Sequence, residues 1–168
     1  MEKKHHDLLK KSLLYALLLI VSYLLQAIVF PWLPIFGAKP LVLPAAVCAI
    51  AIHEGMLRGG AFGLAAGVLC DAALNQPTIL FTLLLMAVGV GVGFLSDRIL
   101  SRGFPSCLLC TVLTLLLCTF LQILQPVFFG GASVFVALWV GLLQVLYSLL
   151  FAVPAYLAAR SISRSARI

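Results

Sequence analysis

Between Gly55 and Asp71 the chain reads GMLRGGAFGLAAGVLCD, with glycine at every fourth position (Gly55, Gly59, Gly63, Gly67) and an aspartate closing the series. Glycine costs helix stability in water, but in lipid repeated small residues four apart let two helix backbones approach closely, so the segment reads as a helix contact face. Steps of four on a helix of 3.6 residues per turn drift by about 40° each, which slants the face into a groove suited to a close right-handed crossing. Asp71 ends that groove. A carboxylate inside a membrane span needs a partner or water, and an aspartate at the water interface can instead cap a helix end. A groove that serves a partner protein and one that packs the chain against itself differ in their test. Gly63→Leu or Gly67→Leu loses the partner in the first case and misfolds the protein in the second.

The rest of the chain dictates a lipid setting. Of 168 residues, 64% are hydrophobic and only 10% charged, with a mean hydropathy of +1.21, too little polar surface to cover a soluble globule. No long polar stretch exists for a second domain, so residues 1–168 read as one integral membrane domain with basic tails at 1–12 and 160–168. The net charge of +6 raises nucleic acid as a ligand, but the basic residues flank apolar runs and are not interleaved with exposed aromatics, which excludes that class.

A bilayer core takes about 20 apolar residues per helix. Six runs approach that length: Leu13 to Phe30, ended by Pro31 and Pro34; Pro40 to Ile52; Gly59 to Leu74; Thr78 to Leu95; Ser106 to Gln125; and Ala132 to Ala159. The second and third are parted only by HEGMLRGG. Two helices are expected there, because one helix of about 35 residues would place Glu54 and Arg58 in lipid. Six spans set both termini on one side. Lys3, Lys4, Lys10, Lys11, Arg58, Arg98, Arg102, Arg160, Arg164 and Arg167 then share that side against Lys39 alone, and the positive-inside rule makes it the cytoplasm, with the loops around Trp32, Asn75 and Gly130 outside. The first run is too long for a secretory signal and lacks an A-x-A cleavage site before Pro31, so it is expected to stay as a helix.

Catalytic chemistry finds little to use. No carboxylate pair shares a segment, no Ser/His/Asp set assembles, and no phosphate-binding loop is present, so no enzyme and no cofactor is expected. The five cysteines, Cys48, Cys70, Cys107, Cys110 and Cys118, all fall in apolar runs and read as buried reduced thiols; Cys107 and Cys110 form a C-x-x-C without a second pair, so no metal site is expected. His53, Glu54 and Arg58 are assigned to the cytoplasmic turn, with Glu54 and Arg58 forming a local pair worth about 0.3 kcal/mol. Gly89, Gly93 and Asp97 repeat the glycine-aspartate spacing on a smaller scale, although GVGVGFLSDR reads in preference as a glycine-loosened helix ending in solvated charges. Gln122, Gln125 and Gln144 are expected to bond between helices.

The basic start, the first span, the proline-bearing PLVLPAAV with Pro44, and GGAFGLAAGVLCD with Gly63, Gly67 and Asp71 together resemble the bacterial rod shape-determining protein MreD family. That resemblance implies a non-enzymatic inner-membrane subunit of the cell-elongation machinery. It further implies association with MreC and with the elongation complex's peptidoglycan polymerase and penicillin-binding transpeptidase. It also implies an all-α fold similar to the substrate-binding subunits of energy-coupling-factor vitamin transporters, which makes such a transporter the alternative. Those subunits usually carry alanines four apart in the first span, whereas here Ala16 is followed at that spacing by Ile20, which counts against transport.

Overall fold

The computed structural model describes residues 2–29, 40–74, 79–98, 104–129 and 134–165. The loops expected around Trp32, Asn75 and Gly130, together with Pro31, Pro34, Lys39, Arg102 and Arg167, lie outside the described residues. Among the described residues six α-helices follow one another: α1 Glu2–Leu24, α2 Leu43–Glu54, α3 Met56–Leu74, α4 Leu80–Arg98, α5 Phe104–Phe129 and α6 Val134–Ser165. α1 runs straight on into a π-helical turn, Leu25–Val29. Among the described residues four stretches, Leu9–Ile28, Leu80–Arg98, Phe104–Leu124 and Leu138–Ser163, are long and apolar enough to cross a membrane. The fold is that of an all-helical, polytopic membrane protein.

The helices alternate in direction. Lys11 near the start of α1 meets Glu54 at the end of α2. Ser96 near the end of α4 bonds Ile52, and Phe104 at the start of α5 packs on Tyr156 near the end of α6. This end of the bundle carries Lys10, Lys11, Arg58, Arg98 and Arg160, and is called the basic end below. The described parts of the two basic tails are helical: residues 2–12 open α1, and from Arg160 the chain continues α6 to Ser165.

α2 occupies the centre. Its 12 residues extend only about 18 Å, less than the thickness of a bilayer core. Every residue from Pro40 to Ile52 is buried, enclosed by α1, α3, α4, α5 and α6. Its many alanines (Ala45, Ala46, Ala49, Ala51) are what let so many neighbours crowd round one short helix. Pro44 stands in the first turn, where no backbone N–H is required of it. Large apolar side chains, among them Leu13, Leu113, Phe120 and Leu150, point outward from the surrounding helices, as a lipid-facing surface demands.

Candidate functional site

The glycine groove is filled from within. α3 lies along α4, and at Gly59 a Cβ would come 2.6 Å from the Gly89 carbonyl oxygen. One at Gly63 would strike the carbonyl oxygen of Leu85, and one at Gly67 the Cα of Thr82, closer still. α4 answers with glycines of its own: a Cβ at Gly89 would meet the Gly59 carbonyl, and one at Gly93 would lie 2.6 Å from Met56 Cα. Gly89 and Gly93 are buried against α3, so these glycines pack the helix instead of loosening it, while Asp97 and Arg98 at its end are exposed, as the reading of GVGVGFLSDR expects. The two series are one seam. Backbone meets backbone, and dispersion and weak Cα–H···O contacts operate at a range that any side chain would forbid.

Gly55 departs from the expected series. It is the single residue between α2 and α3, with φ 81° and ψ −172°, a conformation open essentially to glycine alone, and there the chain reverses. The expected break between the second and third runs therefore falls on one residue. A Cβ at Gly55 would also lie 2.8 Å from Asp97 Oδ2, so the Asp97 carboxylate rests over the turn.

Asp71 closes the far end of the seam as a cap. Its Oδ2 accepts the backbone N–H of Thr82 at 3.0 Å and the Thr82 hydroxyl at 2.6 Å. Thr82 is the third residue of α4, so the carboxylate satisfies a first-turn donor and faces the positive end of the α4 dipole, a helix cap supplied by the preceding helix. The other oxygen, Oδ1, is buried and has no hydrogen-bond partner among the described residues.

His53, Glu54 and Arg58 flank the turn between α2 and α3, as expected, and there they are drawn into the bundle. The Glu54 side chain is 3% exposed, and it gathers Lys11 Nζ at 2.5 Å, Arg58 Nη1 at 2.6 Å and the Tyr15 hydroxyl at 3.0 Å. Glu54 thereby ties α1, α2 and α3 together. His53 turns the other way and packs on the Tyr156 ring with centroids 5.5 Å apart. The local Glu54–Arg58 pair could be read from spacing; Lys11 and Tyr15 could not, since nothing in the sequence marks their facing.

At the opposite end of α2, sequence reasoning missed Gln26 and Ser148. Gln26 Oε1 accepts the N–H groups of Val42 at 3.2 Å and Leu43 at 3.3 Å, and Ser148 Oγ accepts that of Leu41 at 2.8 Å. These are the orphan donors of a helix that begins inside the bundle, where water cannot serve them. Gln26 stands in the π-helical turn of α1, whose wider coil shifts the side chains' angular positions. Between α5 and α6, Gln144 Nε2 donates to Gln122 Oε1 at 3.0 Å; the side chain of Gln125 lies outside the described ones. All five cysteines are free and buried, and among the described residues no three His, Cys, Asp or Glu side chains converge to hold a metal.

No protein-family model matches the chain, and no curated protein or solved structure matches it.

Proposed function

We propose that this chain is a non-enzymatic, six-pass subunit of the bacterial inner membrane, of the MreD kind, with both termini in the cytoplasm, serving the cell-elongation machinery beside MreC and the peptidoglycan polymerase and transpeptidase. One observation carries the structural side of that reading: the charged and amide groups inside the bundle are engaged in holding helices to one another. Glu54 binds Lys11, Arg58 and Tyr15, Asp71 caps α4, and Gln26 caps α2. Polar chemistry used in this way favours a scaffold whose function is its shape over a centre that turns over substrate. The concentration of described basic residues at one end supports placing that end in the cytoplasm. The residues PLVLPAAV and GGAFGLAAGVLCD supply the family resemblance.

Depletion in a rod-shaped host without a paralogue should produce round or widened cells, and tagged protein drawn from native membranes in gentle detergent should bring MreC with it. Unchanged morphology would overturn the reading. A vitamin retained through purification would turn it towards the transporter alternative. For topology, Asn75→Cys on a cysteine-free background should react with an impermeant thiol reagent in outer-membrane-permeabilised cells; labelling only after lysis would overturn the six-pass arrangement.

A further inference from the structure

α1 packs along α2, α3 and α6. From Leu9 onward the fully buried side chains in α1 and its π-helical turn are Tyr15, Leu19, Ser22 and Gln26, a single seam at steps of four, three and four. Leu13, Leu17, Ile20, Val21 and Leu24 point outward. Within hydrocarbon an apolar seam gains little by preferring protein to lipid tails, so Leu19 contributes little to choosing one position over another. Ser22 donates to the carbonyl of Leu18 in its own helix and binds nothing across the seam.

What remains are polar bonds, and they cluster near the two ends of α2, each also reaching α3: Arg58 shares the Glu54 carboxylate, and Gln26 Nε2 lies 3.9 Å from Cys70 Sγ. At the basic end Lys11 and Tyr15 hold Glu54, the last residue of α2. At the far end Gln26 holds the N–H groups of Val42 and Leu43, where α2 begins. Each set would leave costly unpaired groups in a low-dielectric setting if it parted. The two ends differ in kind. The first is ionic, with Arg58 on the same carboxylate and itself partly exposed, whereas the second is neutral and buried.

We infer that α1 is a separately hinged helix held against α2 by two independent polar clasps, Glu54 with Lys11 and Tyr15 at the basic end and Gln26 with the α2 N-terminus at the far end, so that opening either clasp swings that end of α1 into the lipid while the other five helices stay packed. The bundle can then open sideways onto α2 without unfolding.

The test measures spin-label distances in the purified full chain in lipid nanodiscs. One pair, Leu13→Cys with Leu109→Cys, reports the basic end, and a second, Ile28→Cys with Phe120→Cys, the far end; all four positions are exposed, and labelling of the same variants without these cysteines corrects for the buried native thiols. Glu54→Gln should broaden the first distance distribution and leave the second narrow. Gln26→Leu should do the reverse. The double variant should broaden both and shift them outward by up to about one helix diameter, roughly 10 Å. Unchanged distributions in the folded single variants would overturn the inference, because packing would then be holding α1. Loss of either single variant from the membrane would overturn it equally, because a hinged helix leaves the remaining bundle intact.

Discussion

α3 meets α4 through backbone, whereas α5 meets α6 through side chains. In the first pair Gly59, Gly63, Gly67, Gly89 and Gly93 leave no room for even a methyl group. In the second, Gln122 and Gln144 share one hydrogen bond, and Gly141 lies under the tip of Thr119 and the Ile123 side chain, where a Cβ would meet Thr119 Cγ2 at 2.6 Å and Ile123 Cδ1 at 3.0 Å. Side-chain tips can rotate away and backbone cannot. The first interface is therefore unforgiving to added volume and the second to lost polarity, although both join consecutive antiparallel helices in the same protein.

The largest effect should come from breaking the backbone seam. Gly63→Leu, Gly67→Leu or Gly89→Leu has to drive two helices apart, at more than the ~1–3 kcal/mol typical of overpacking, and should remove folded protein from the membrane as judged by abundance and by gel filtration in detergent. Gly91→Leu on the same α4 helix is the control, since a Cβ there meets nothing within 4 Å and the variant should accumulate normally. Stable, monodisperse Gly63→Leu protein would show that α3 and α4 are not locked as described.

Gly55→Ala comes next. A side chain at φ 81° costs about 1–3 kcal/mol and also displaces the Asp97 carboxylate, so thermal unfolding should start lower without loss of the fold. Equal melting temperatures for the variant and the parent would contradict the strained turn.

Below that stands Asp71→Ala, which deprives α4 of its borrowed cap at about 0.5–2 kcal/mol, with Asp71→Asn recovering part of the loss. The expected readout is faster hydrogen exchange at the first turn of α4, and uniform exchange across the α3–α4 pair would break the assignment. The smallest change belongs to α5 and α6. Gln144→Leu should cost about 0.6 kcal/mol, the average for an interhelical side-chain bond in lipid, and a loss comparable to the glycine variants would erase the contrast between the two pairs.

The same contrast explains what could be read from the sequence. Apolar runs and the glycine spacing are local patterns, so six helices and the glycines of α3 that lie against α4 are legible in the sequence. The mate of that face was in view at Gly89 and Gly93 but undervalued, because a glycine at four-residue spacing looks alike whether it is buried or merely loosens a helix. Asp71 is visible as the carboxylate that ends the glycine series, yet its partner Thr82 sits beyond a helix boundary. The clasps on α2 were illegible in principle. Glu54 with Tyr15 and Gln26 with Val42 join residues 39 and 16 positions apart with no spacing rule to connect them, and a neutral glutamine in an apolar run gives no sign of which backbone donor it serves.

The bond from Leu41 N–H to Ser148 has a consequence in time. These two residues are 107 positions apart, so at the usual pace of synthesis the donor emerges roughly 5 to 20 s before its acceptor exists. Until α6 enters the bilayer, the central helix has an unsealed end, and a translocon or chaperone that shields nascent helices has that interval in which to act. The most deeply buried helix of the finished molecule is thus among the last parts to be completed, and a ribosome stalled before Ser148 would leave a chain with most of its helices made and its middle still open.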